Sequence, residues 1–273
     1  MRIHHYTTLE TLALILSSRK LRFNRLDKVD DLEEGNIESD GVKLGKYMFV
    51  SCWTEVEEEN IPLWKMYSGN GIGVRISIER DMFQDYVISN LCLANGMDSS
   101  GAILSKIPVR EFEQKNYFVL PLFDLKSEMF YRKIRYVDDV KIATKNIVER
   151  NMQSNRTANV NIALGEVGKY KHKRWEFQEE SRFAIVIFPR NPLQQPNMNE
   201  IGSVMLNALY NGEELPFDSY YLDLRPEVLN SMTITLSPSM TDAQRILTES
   251  LCQRYVPGAT IKESMLKGNV KLK

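Results

Sequence analysis

An α+β fold built on mixed or antiparallel sheets is predicted by three features of the sequence. Short apolar or alternating runs recur from end to end without the regular βαβ order of a doubly wound sheet. Amphipathic periodicity of the helical kind is confined to a few separated segments. The most patterned stretch, Tyr47 to Ile78, reads as a buried strand, an acidic turn, helical turns carrying Trp64 and Tyr67, a break at Gly69, Gly71 and Gly73, and a second strand. The 273 residues, 43% hydrophobic and 26% charged, are enough for one α+β domain, with room for a C-terminal subdomain from about residue 190.

Taken in order, Arg2 to Tyr6 reads as a strand, with Thr7 or Thr8 as N-cap of a helix whose stripe is Leu9, Leu12, Ile15 and Leu16. Leu21 to Phe23 is a further strand, and Asp27 to Gly35 an acidic, solvated loop. Beyond Ile78, Arg80 to Asp85 reads as a helical turn, Asn95 to Gly101 as a turn-rich loop, and Ile107–Phe112 and Tyr117–Leu122 as strands. Ile134 to Val137 is a short strand. Apolar residues from Val140 to Met152, and again through Ile162 and Val167, read as two helices before Tyr170. Phe183 to Phe188 is a buried strand; its alternation, extended backward, puts Gln178, Glu180 and Arg182 on one face. After a Pro-rich break at 189–196 come a helix (Ile201–Leu209), strands (Tyr220–Leu224, Met232–Leu236), a helix capped by Thr241 and an edge strand from Ala259.

Composition excludes several classes. A net charge of -1 gives no global attraction to nucleic acid or to an anionic membrane. Three cysteines, Cys52, Cys92 and Cys252, lie too far apart for a metal knuckle or a disulfide framework and read as reduced thiols. No apolar window is long enough to span a bilayer and the N-terminus does not resemble a signal peptide, so a cytoplasmic location is expected. There is no P-loop, dinucleotide-binding glycine fingerprint, nucleophile elbow or HExxH.

His5, Tyr6 and Thr7 stand where a strand hands over to a helix N-terminus, a location suited to a phosphate or ribose. Several segments then carry a family resemblance: His5 to Glu10, Leu21-Arg22-Phe23, Phe49 to Thr54, Pro62 to Tyr67, Gly73-Val74, Ile134 to Val137, Trp175 to Arg182 and the C-terminal Ile-Lys-Glu-Ser. Together they resemble the DUF2971 family of bacterial and phage proteins from residue 4 to about 266. More distantly, His5, Ser51 with its neighbours and Gln178-x-Glu180 occur in the order of a pattern in the ADP-ribosyltransferase superfamily.

That second resemblance implies NAD as substrate, with no metal. Nicotinamide would be released and ADP-ribose passed to water, a protein or a nucleic acid, in a bacterial toxin or phage-defence setting. Glu180 would be the catalytic carboxylate with Gln178 beside it. Many DUF2971 sequences have Glu-x-Glu where this chain has Gln178-x-Glu180, which makes arginine a less expected acceptor. His5, Tyr6, Thr7, Ser51, Trp53, Trp64 and Tyr67 would hold the dinucleotide, with aromatic rings stacking on nicotinamide or adenine. Lys171, Lys173 and Arg174 would contact pyrophosphate or a nucleic-acid acceptor. Convergence of His5, Ser51 and Glu180 on one groove is the structural expectation. Two other classes are open: a non-enzymatic module whose aromatic pocket binds a nucleotide, peptide or nucleic acid, and a metal-dependent nuclease using a different set, Asp30, Asp31, Glu33 or Glu34.

Overall fold

A computed structural model of the chain describes residues 1–69, 71–88, 102–112, 114–120, 128–154, 157–190 and 201–272. Cys92, the loop expected at 95–101 and the Pro-rich break from 191 onward lie outside those residues.

The fold is α+β. Its centre is a ten-stranded sheet built from both ends of the chain. We number the strands that position the site: β1 (Arg2–Thr7), β2 (Lys20–Arg25), β3 (Met48–Thr54), β4 (Val74–Glu79), β5 (Tyr117–Val119), β6 (Tyr131–Lys133), β7 (Arg135–Val137), β8 (Tyr170–His172), β9 (Glu180–Pro189), β10 (Ser219–Asp223), β11 (Thr233–Leu236) and β12 (Thr260–Glu263). The main path runs β6-β9-β3-β1-β4-β11-β12; β2 joins β3 to β10, and β5 adds to β9. Every pairing in this sheet is antiparallel except β11 with β12. The short β7 and β8 pair in parallel beside it.

Helix α1 (Leu9–Ser18) starts at Thr8, whose side chain accepts from Thr11 N, and buries Leu12, Ile15 and Leu16. Helix α2 (Leu32–Gly35) is capped by Asp31, and α3 (Ile61–Tyr67) by Asn60 with a proline in its first turn. Helix α4 (Asp242–Tyr255) opens on a Thr241/Gln244 capping box. The turn between α3 and β4 needs Gly73, because a Cβ there would sit 2.0 Å from the carbonyl oxygen of Thr7.

One face of the sheet is apolar. In β4, β11 and β9 the residues Ile76, Ile78, Ile234, Leu236, Phe183 and Ile185 feed the main core. The alternate residues point to the other face, and near the strand ends many of them are polar yet buried.

Several sequence expectations are corrected. Segment 80–85 forms no helix, only an isolated bridge from Phe83 to Leu224. The strand expected at Ile107–Phe112 is a 3-10 turn (Val109–Glu111) opened by Pro108. Only Val140–Thr144 is α-helical in the segment read as two helices, with a 3-10 turn at Leu164–Glu166; Val148–Ser154 and Thr157–Ile162 pair as antiparallel strands. Val148, Thr157, Val160 and Ile162 are β-formers, the intervening asparagines are poor helix formers, and the apolar spacing also satisfies period two. The acidic segment 27–35 holds α2 and a fully buried Glu34 rather than a solvated loop.

Candidate active site on the polar face

Strand register decides which side chains can meet. Thr54 on β3 stands opposite His4 on β1 and opposite Glu180 on β9. Paired residues of antiparallel strands share a face, so His4, Thr54 and Glu180 form one row across three adjacent strands. At roughly 5 Å per strand the ends of the row are about 10 Å apart.

The expected trio is thus brought onto neighbouring strands, but not onto one groove. Ser51 pairs with Phe183 and lies on the apolar face, where its hydroxyl accepts from Trp53 Nε1 at 3.0 Å. His5 also points there, with its ring 5.0 Å from Trp53 and Nδ1 2.8 Å from Cys52 O. Burial keeps His5 below the usual histidine range. A parity of one residue separates the expected His5 and Ser51 from His4 and Thr54, and period two sends them to opposite sides of the sheet.

Glu180 is the hub of a sealed charge network. Its Oε2 accepts from Lys171 Nζ at 2.7 Å and its Oε1 from Arg182 Nε at 2.9 Å. Arg182 also grips Glu34 from α2, and its Nη1 donates to Gly168 O at 3.2 Å. Two carboxylates therefore face two cations, all buried. Burial by itself would raise the Glu180 pKa, but Arg182 and Lys171 hold it down to about 2. For Glu34 burial wins, and its pKa is raised despite Arg182 and Lys171. Burial and the Glu180 charge push the Cys52 thiol up, away from thiolate chemistry.

Gln178 joins the same network from outside the strand. It ends a 3-10 helix, Lys173–Gln178, and Glu179 then takes a left-handed turn at φ 42° that brings Gln178 and Glu180 to the same side. The Gln178 amide accepts from Lys171 Nζ at 2.8 Å and donates to Tyr67 OH at 2.8 Å. Tyr136 OH accepts from Glu180 N at 2.8 Å, and Trp175 lies with its ring centroid 5.3 Å from Lys171 Nζ.

The remaining expected residues divide by burial. Lys171 belongs to the network, whereas Lys173 and Arg174 are exposed and pair with Asp138 and Glu33. Tyr6 OH accepts from Asn60 N at 2.9 Å, and Thr7 is buried opposite Val74. Trp64 is fully buried, edge-on to Tyr6 at 4.9 Å with Nε1 donating to Glu59 at 2.9 Å. Trp53 is buried on the apolar face. These two indoles are packing groups in this structure, not open stacking platforms.

His4, Thr54, Arg75 and Arg182 are the polar-face residues that sequence reasoning passed over or left unassigned, and Glu34, weighed there as a metal-binding carboxylate, is instead ion-paired with Arg182 and Lys171. The signal was present in Val74-Arg75-Ile76-Ser77-Ile78: three apolar residues at period two put Arg75 and Ser77 together on the other face. Among the described residues no group of three or more His, Cys, Asp or Glu side chains is placed to hold a metal ion, and no helix is long and apolar enough to cross a membrane. A cavity of about 320 Å³ opens elsewhere, beside Lys20, Arg110, Tyr117, Tyr220 and Asp223. It holds none of the polar row.

The chain matches no family model, no curated protein and no solved structure.

Proposed function

We propose that the polar face binds NAD and cleaves its nicotinamide–ribose bond, in the manner the ADP-ribosyltransferase resemblance implies. What supports this reading is the single row His4–Thr54–Glu180 across three neighbouring strands, with Gln178 hydrogen-bonded into the same network. In the step, the C–N bond to nicotinamide breaks and the bonding pair leaves with the ring. The ribosyl carbon, left positive, takes the oxygen or nitrogen of water or an acceptor, which then sheds its proton. An ionised Glu180 stabilises the developing positive charge. On this reading His4 contacts a ribose hydroxyl, while Thr54, donating to Glu179 O and accepting from Val56 N, fixes the backbone beside it. The Glu55–Asn60 segment and α3 lie over this face and must yield for a dinucleotide to enter.

A second reading is favoured by one observation: the Glu180 charge is already balanced by Arg182 and Lys171. On that reading the face binds a nucleotide without cleaving it. Nicotinamide release and NAD binding, measured on wild type and Glu180→Gln with thermal melting alongside, separate the two. Release that falls about a hundredfold in a folded Glu180→Gln variant supports the enzyme. Binding without release supports the module. Wild-type protein that neither binds nor consumes NAD removes both.

A further inference from the structure

Arg75 is the most confined cation of the polar face outside the Glu180 network. It is the second residue of β4, 1% exposed, with Tyr6 opposite on β1 and Thr235 opposite on β11. Its Nη2 donates to Glu57 O at 2.7 Å, and its guanidinium carbon is 5.9 Å from the Tyr6 ring centroid. Nε and Nη1 are buried with no partner among the described residues, and neither has the hydroxyl of Thr235. Burying a guanidinium with two donors unpaired is costly, so this fork is built to receive acceptors.

The neighbouring groups describe the acceptor. His4 lies two residues along β1 from Tyr6, on the same face, and its Nδ1 is 2.8 Å from Ser77 Oγ. With Ser77 donating to Nδ1, the neutral ring carries its proton on Nε2 and presents a donor. Glu57, 70% exposed, reaches down between the two. One carboxylate oxygen stops 3.7 Å from Arg75 Nη2; the other is 3.0 Å from His4 Nε2. A carboxylate thus stands between His4 and Arg75, within reach of the first and short of hydrogen-bonding distance to the second.

We propose that Arg75, His4 and Thr235 form a seat for a phosphoryl group, and that Glu57 is its internal competitor. A phosphoryl group carries more negative charge than a carboxylate and has three acceptor oxygens, enough for the two free guanidinium donors together with the Thr235 hydroxyl or His4. Arg2 adds positive charge at the rim, where its Nη2 donates to Thr233 Oγ1 at 3.1 Å. The proposal stands on this cluster and does not require NAD cleavage.

Calorimetric titration with inorganic phosphate, pyrophosphate and ADP at fixed ionic strength tests it on the full chain. Glu57→Gln keeps the side-chain shape, removes the competing charge and alters an exposed position; it is expected to tighten pyrophosphate binding about tenfold over wild type. Arg75→Lys keeps the charge but not the fork, and binding is expected to weaken about tenfold or more with the circular dichroism spectrum intact. ADP binding more tightly than pyrophosphate identifies a nucleotide phosphate; equal affinities identify free phosphate species. Glu57→Gln that binds none of the three, or no more tightly than wild type, overturns the proposal even if Arg75→Lys fails to fold. So does a folded Arg75→Lys that binds as wild type. Phosphate capture by a protein that leaves NAD intact separates this seat from the catalytic reading.

Discussion

Lys171 and Glu180 meet at 2.7 Å with both side chains almost sealed from solvent. Removing one member of such a pair leaves a charge buried without its partner. Lys171→Met is therefore expected to cost about 3–5 kcal/mol of stability. Lys173, two residues on and exposed beside Asp138 at 3.0 Å, should lose no more than about 0.5 kcal/mol on the same change. Urea denaturation of both variants decides the matter; equal midpoints would contradict the buried network.

His4 should make the fold acid-sensitive in a defined window. Burial, then the nearby Arg75 charge, lowers its pKa to about 4 against 6.5, with Arg2 acting in the same direction and Glu57 opposing. The unfolded chain takes up the proton first, so this stability is fully present above pH 6.5, falls as the pH drops toward 4 and is flat below. The span is up to about 3 kcal/mol. Denaturation midpoints of wild type and His4→Gln between pH 4 and 7.5 check this, and the variant should lose the slope. A slope that survives in His4→Gln assigns it to another group.

Glu59 ties the segment over the polar face to the C-terminal stretch. One carboxylate accepts from Trp64 Nε1 at 2.9 Å, Ser264 Oγ at 2.5 Å and Met265 N at 2.7 Å. Leu272 packs with Tyr6 and Trp64 in the small cluster beside it. Glu59→Ala strands three donors, with an expected loss of about 2–3 kcal/mol. Hydrogen exchange should quicken at 264–272 before the central sheet responds. Uniform protection across both regions would refute the tie.

Ser51 tests the face assignment directly. Ser51→Ala deprives buried Trp53 Nε1 of its acceptor, an expected cost of about 1–3 kcal/mol. Ligand binding at the polar face should be unchanged, since Ser51 lies on the apolar side. A loss of NAD or phosphate affinity at full folding would show that the faces communicate.

The sequence by itself determined where strands and helices begin wherever pattern and punctuation agree. Thr8 and Thr241 cap the helices they precede, and the apolar run around Phe183 forms the longest strand among the described residues. Period two also placed Gln178, Glu180 and Arg182 together, although a left-handed residue at Glu179, not a continuous strand, is what aligns them. The stretch from Val148 to Ile162 was ambiguous because its apolar spacing serves helix and ladder alike, and pairing between the two strands decided it.

Only the tertiary structure decided the site. Whether His4 or His5 faces Glu180 depends on the register of β1 against β3, and a single-residue shift inverts every side chain. Nothing local distinguishes Glu34 and Lys171 from their exposed neighbours Glu33 and Lys173. Charged residues look solvated in sequence because burial is costly for each alone; it becomes affordable only when distant segments deliver opposite charges to one place, as α2, β8 and β9 do around Arg182.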